Sequence, residues 1–341
     1  MITARQEAIL NIIVSEYIKI ANPMASDQIV GHYDIGVSSA TIRNDMAELE
    51  EAGYLRRPHS SAGAIPRDEA YRVYVESKRN NTTSNIPQHI QTYVKQRLLQ
   101  SERDIEQQIK LAANTLSDLV GNMAISTYPR AKVSKIRHLE LIPLQEFVVM
   151  LIVVLGQTKL KRQIIRFKEP IDRTQIELSG NKIKKVALGL TSKGINTKGP
   201  NLTDLEQNIL EVVQSILIAE DEGHYKDVHI HGLGNILSQP EFSQNSKLQT
   251  FLEGLETGSV VQTIVEETPN GELVKVIIGR ENRDNVLQPF GIVLCPYGIP
   301  NEVVGTICAI GPTRMEYFKA IRSVKFISSI MTDLVEGVLA V

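Results

Sequence analysis

The segment VSSATIRNDMAELEEAGYLRRPHSSAGAIP, Val37–Pro66, constrains the fold more than any other part of the chain. Small polar residues precede a short run with apolar positions at helical spacing. A glycine closes that run, and two arginines and a Ser/Gly/Pro loop follow. On a helical wheel at 100° per residue, Ile42, Met46 and Leu49 fall within ~60° of one another and form a buried stripe. Ala40, Asn44 and Ala47 point the opposite way, with Thr41 and Arg43 on the flanks. Ser38 or Ser39 is placed to cap the helix, and Gly53 stands where a C′ glycine belongs.

An outward face of small residues with one arginine and one amide suits the DNA major groove. Small side chains permit close approach, and Arg and Asn make bidentate contacts with guanine and adenine. Ser38, Ser39 and Thr41, near the helix N-terminus, add phosphate contacts. The preceding helical pattern, Ala25–His32, lies one short turn upstream at Gly36, the spacing of a helix-turn-helix. Downstream, Arg56, Arg57, His59, Ser60 and Arg67, with Arg72 beyond them, surround a turn that reads as a wing. The candidate interface is therefore Ser38, Ser39, Ala40, Thr41, Arg43, Asn44 and Ala47 on the recognition helix, with Arg56, Arg57, His59, Ser60 and Arg67 in the wing. A capped helix ending in glycine also suits a generic helical domain. Residues 1–80 hold nine Lys/Arg against eleven Asp/Glu. One copy thus offers few phosphate contacts, and specific binding calls for a dimer on two half-sites.

The 341 residues leave room for two or three domains. The net charge of -2 points to no polyanionic partner, so any such argument is local. Cys295 and Cys308 lack CxxC spacing and read as buried thiols of a reducing compartment. The N-terminus is an amphipathic helix pattern rather than a signal peptide. Phe147–Leu155, the most apolar run, is too short to cross a bilayer as a helix and reads as a strand. The expectation is a soluble, cytoplasmic protein.

Arg79–Gln88 is a polar stretch and the first domain boundary. A helix pattern follows over Gln88–Leu119, and then the period changes. Strands are expected at KIRHLELIPL, EFVVMLIVVL and LKRQIIRF, the last two joined by a hairpin at Gly156–Gln157. The pattern over 172–256 is mainly helical, with a strand at Asp227–Leu233. SVVQTIVEE, LVKVIIG, FGIVLCPY and VVGTICAIGP read as further strands before a closing helix. Strands on both sides of a helical block suggest a sheet domain carrying an insertion.

SSATIRNDMAELEEAGYLRRPHSSAGAIP followed by YRVYV resembles the HrcA family of bacterial heat-inducible transcription repressors. HGLGNILSQPEF (231–242), IIGREN (277–282) and GTICAIGPTRMEY (305–317) are similar to that family's later signatures, in family order. The resemblance implies an α+β multidomain fold: a winged helix-turn-helix at 1–80 and a linker with connecting helix at 81–104. A GAF-like domain at 105–171 and 257–341 and a helical dimerisation domain inserted at 172–256 complete it. It further implies a repressor of chaperone operons that binds an inverted-repeat operator, the CIRCE element, as a homodimer and releases it on heat stress. The GroE chaperonin is implied as a second partner, with no membrane association. The family's wing reads close to GRIPT, whereas this chain has GAIPR, with Ala64 and Arg67; Ala70 stands where a glycine is common.

The remaining motifs carry less. His229 and His231 share a strand face as a metal pair would, but no third ligand lies near in sequence, and paired strand histidines are mostly structural. The glycines of GLGN lack the dinucleotide-binding context and read as a turn. Pro312 is placed to open the last helix. No catalytic motif occurs, so neither an enzyme nor a cofactor or metal site is expected. The alternatives are a winged-helix regulator whose GAF-like domain senses a small molecule, and a chaperone-interacting adaptor without specific DNA binding.

Overall fold

Thr3 starts the first helix. Its hydroxyl accepts from the Gln6 N–H (3.3 Å) while the Gln6 side chain accepts from the Thr3 N–H (2.8 Å), a reciprocal capping box. Helix α1 (Ala4–Ile20) buries Ile9, Leu10, Ile13 and Val14 completely. Helices α2 (Ser26–His32) and α3 (Ser39–Glu51) are separated by a turn in which Gly36 takes φ 71°. Gly53, at φ 86°, follows α3 as a C′ residue. Two short strands, β1 (Leu55–Arg56) and β2 (Ile65–Pro66), pair antiparallel, and α4 (Asp68–Ser77) follows directly. This is a winged helix-turn-helix.

These features come from a computed structural model, which describes residues 2–59, 62–77, 86–99, 104–130, 134–156, 159–221, 228–242, 246–269, 271, 273–300 and 302–339. The chain divides into two compact units. The first comprises 1–128, 227–298 and 305–338, and the second 129–226 with 299–304 and the last three residues.

In the first unit, the pattern expected to form one helix over Gln88–Leu119 gives two, α5 (Gln88–Leu99) and α6 (Ile105–Val120). Much of the expected linker lies outside the described residues. Gly121 ends α6 in the left-handed region (φ 70°) and turns the chain into β3 (Met123–Thr127). After the second unit the chain returns as β7 (Val228–His231), α9 (Leu233–Leu237), α10 (Ser246–Thr257), α11 (Ser259–Glu266) and β8 (Lys275–Ile278). Strands β9 (Phe290–Ile299) and β10 (Val303–Pro312) and helix α12 (Tyr317–Leu339) end it. The sheet order is β7-β3-β10-β9-β8. Strand β3 and nearly all of β9 and β10 are buried on both faces, which is why they read as unbroken apolar runs.

The second unit is built from β4 (Ile136–Gln145), β5 (Val148–Leu155), β6 (Lys159–Arg166), α7 (Arg173–Ala187) and α8 (Asp204–Asp221). The three strands form their own antiparallel meander, and both helices pack on one of its faces. Leu139, Leu151, Val153 and Ile165 meet Ile183, Ile209, Leu210 and Val213 there.

Three expectations change. The strands over 136–166 pair only with one another and fall with 129–226 in the second unit, whereas the helical block expected over 172–256 is split: β7 joins the five-stranded sheet and 233–266 lies in the first unit. SVVQTIVEE is helix α11, because Val260, Val261 and Ile264 repeat at helical spacing and are all buried. Pro312 ends β10, and the last helix begins five residues later, at Tyr317.

The remaining signature segments are close packing. Arg314 donates to Gln239 (2.7 Å) and grips Glu241, joining the TRMEY and QPEF segments. Phe242 stacks on Phe290 at 4.8 Å. A Cβ at Gly305 would lie 2.4–2.6 Å from the Tyr297 ring and hydroxyl, so only glycine fits against that buried phenol.

Candidate nucleic-acid interface

Helix α3 presents its expected stripe inward. Ile42, Met46 and Leu49 are buried, while Ala40, Arg43 and Asn44 are exposed and Ala47 is half-buried. Ser38 is the cap. Its Oγ accepts from the Thr41 N–H (3.2 Å) and lies 3.0 Å from the Thr41 hydroxyl. Ser39 is turned elsewhere: its hydroxyl donates to the Asp27 carboxylate and to Ser26 Oγ (3.2 Å), tying α3 to α2.

Asp45, missed in the sequence reading, sits buried at the edge of the apolar stripe. Arg5 of α1 holds it through two charge-assisted bonds, Nε–Oδ2 at 2.8 Å and Nη2–Oδ1 at 3.0 Å. An acid bordering an apolar stripe was the available signal, since a buried carboxylate requires a cation. Two further acids of α3, Glu48 and Glu50, are also engaged. Gln6 Nε2 donates to Glu48 (2.6 Å), and Glu50 accepts from the Arg57 N–H (3.0 Å) and faces its guanidinium (3.5 Å). Acidic residues on this helix therefore brace α1 and the wing.

In the wing, Arg56, His59 and Arg67 are exposed, and Arg57 is half-buried against Glu50. Ser60 lies outside the described residues. Ala64 is buried and pairs with Met24 through two backbone bonds, Ala64 N to Met24 O at 2.8 Å and Met24 N to Ala64 O at 3.0 Å. A Cβ on Gly63 would lie 2.4–2.6 Å from the Met24 backbone, so the wing can close on this loop only through glycine. Ala64 thus faces the core, and Arg67, immediately after β2, is the exposed cation there. Arg72 does not join the wing: its guanidinium donates to Glu281 (2.7 Å from Nε) and to the Val276 carbonyl (2.8 Å).

Away from this face, His229 Nε2 lies 3.1 Å from Asn114 Oδ1, and burial lowers the imidazole's pKa. Gly232 turns the chain at φ 77° where a Cβ would meet Ser117 Oγ.

The architecture and the exposed groove-sized face define a DNA-binding regulator of the winged helix-turn-helix class. A family model described as the HrcA protein C terminal domain matches residues 106–321, and a DeoR-like helix-turn-helix model matches 5–67. The chain belongs to the HrcA family. It is 36% identical over 335 residues to a heat-inducible transcription repressor HrcA of Dehalococcoides mccartyi, covering 98% of this chain and 96% of that one. It is 31% identical to the protein of the same name from Roseiflexus sp., covering 98% and 94%. A crystal structure described as a hypothetical protein shares the fold at TM-score 0.65 and 24% identity, covering 99% of this chain and 100% of that one.

Proposed function

We propose that this chain represses chaperone operons by binding an inverted-repeat operator, the CIRCE element, as a homodimer, and that it releases the operator on heat stress. It acts in the cytoplasm and without catalysis. The observation that carries the reading is the outer face of α3: exposed Ala40, Arg43 and Asn44 over a fully packed inner stripe, with exposed Arg56 and Arg67 beside it. Arg43 and Asn44 read base edges. Ser38, Thr41, Arg56, His59 and Arg67 hold the backbone, while Ser39 and Arg57 are committed to Asp27 and Glu50. The GroE chaperonin is a second partner in this reading.

Support for the homodimer comes from the meander. Its helix-free face carries Ile142, Met150, Ile152, Val154, Leu160 and Ile164, with Leu160 51% and Ile164 57% exposed. One row across that face runs Glu140, Ile152, Arg162. A copy related by a two-fold running along the strands sets Glu140 of one sheet against Arg162 of the other, a self-complementary pair of the kind isologous interfaces use. Heat acts by releasing this pairing or the fixed orientation of the winged domains, so that the recognition helices lose their half-site spacing.

The test is fluorescence anisotropy on the inverted repeat and on the same DNA with one half-site scrambled, across a salt series. A large loss with the scrambled half and a steep salt slope are expected. Equal weak binding to both would overturn the reading.

A further inference from the structure

Two segments that the DNA-binding reading leaves unused, YRVYV (71–75) and IIGREN (277–282), meet in the first unit and lock α4 onto the edge of the five-stranded sheet. The Asp68 carboxylate accepts from the Arg280 N–H at 2.9 Å and occupies the space above Gly279, where a Cβ would lie 2.1–2.4 Å from it. Arg72 spans Glu281 and the Val276 carbonyl. Glu281 is itself aimed by accepting from the Ile278 N–H (2.8 Å), and Asn282 pins the loop by donating to the Gly279 (2.9 Å) and Leu287 (3.0 Å) carbonyls. Beneath these polar contacts Tyr71 packs against Tyr317 (6.2 Å between ring centroids) and Tyr74 against Phe318 (5.2 Å).

We infer that Asp68 and Arg72 are positioning residues for operator recognition: they clamp the winged domain to the sheet domain in the one orientation that lets two copies span both half-sites. The inference rests on the operator reading above. Its geometry has a direct consequence, because Asp68 follows Arg67 in the chain. The exposed wing cation and the clamp sit on consecutive residues, one facing outward and the other into the Gly279 cradle. A winged domain freed at α4 keeps its own α3 face intact, since that face is built by α1, α2 and the wing. Freedom at α4 therefore removes the fixed spacing between recognition helices and leaves each helix's own contacts alone.

The experiment uses the full chain as wild type, Arg72→Ala and the conservative Arg72→Lys. Each is titrated on a single half-site and on inverted repeats with the half-site spacing varied by single base pairs. For Arg72→Ala the expected result is unchanged half-site affinity, a loss of about 5- to 150-fold at the preferred spacing and a flattened spacing profile. Arg72→Lys keeps a cation against Glu281, whose carboxylate is still aimed by the Ile278 N–H, and restores most of the sharp profile. Equal losses on half-site and full operator, or a spacing profile as sharp as wild type, would overturn the inference. A DNA-free readout separates it from the operator reading. Both native cysteines are buried, so spin labels go to Asp34→Cys in the winged domain and Lys325→Cys on α12, both exposed positions. The clamp predicts a narrow distance distribution that broadens in Arg72→Ala, whether or not the wild type prefers the operator. A broad wild-type distribution, or a mutant as narrow as wild type, would refute it.

Discussion

Arg43 and Asn44 stand side by side on α3, exposed, on a helix whose opposite face is fully packed. Arg43→Ala and Asn44→Ala should each cost about 1–3 kcal/mol of operator affinity and relax preference at one base pair. Competition against single-base operator variants reads this directly, and a uniform loss over all variants would assign these side chains to phosphates. Gly63 tests the wing from the other side. A methyl group there meets Met24 backbone atoms, which cannot swing aside as a side chain end can. Gly63→Ala should destabilise the winged domain by about 1–3 kcal/mol, seen as a lower urea midpoint, and should weaken DNA binding through the displaced wing.

At the scale of elements, the start of α8 shows how one carboxylate serves two ends. Glu206 accepts from the Thr203 N–H (2.9 Å) while Thr203 Oγ1 accepts from the Glu206 N–H (3.3 Å), and Lys182 of α7 reaches the same carboxylate at 2.7 Å. Burial alone would raise the Glu206 pKa. The Lys182 ammonium and the Thr203 donors outweigh it and hold the group below an ordinary glutamate's 4.5. A depressed carboxylate contributes stability that is fully present above its unfolded pKa and is lost as pH falls through the folded value. Glu206→Gln should therefore lower the urea midpoint of the second unit at neutral pH, by about 1 kcal/mol for the weakened cap. The gap from wild type should close as pH is taken below 4.5. A gap that persists in acid would mean that packing, not charge, does the work at this site.

For the whole molecule, the homodimer proposed above is tested at the helix-free face of the meander. Ile152 lies at its centre, between Glu140 and Arg162. With the interface proposed there, Ile152→Asp should turn a dimer into a monomer in light scattering. It should also reduce inverted-repeat affinity to that of a single half-site, without lowering thermal stability by the amount a core mutation costs, because the opposite face carries the core. A dimer that survives this change would place the interface elsewhere.

Much was legible in the chain because it is local. The stripe Ile42, Met46, Leu49, the Ser38 cap and the Gly53 stop all belong to one short helix and its two ends, and helical geometry alone orients them. The glycine-bounded strands around Cys295 and Cys308 were readable because strands buried on both faces must be apolar throughout. What the tertiary structure decided was partnership. Periodicity marks 136–166 as strands but carries no information on which sheet they join, and here they join only each other. Val260, Val261 and Ile264 have strand propensity, yet packing of their common face made a helix. Arg57 and Arg72 look like DNA-seeking arginines in a basic loop. Glu50, close in sequence, and Glu281, two hundred residues away, take them, because a charge-assisted bond depends on distance in space and not along the chain.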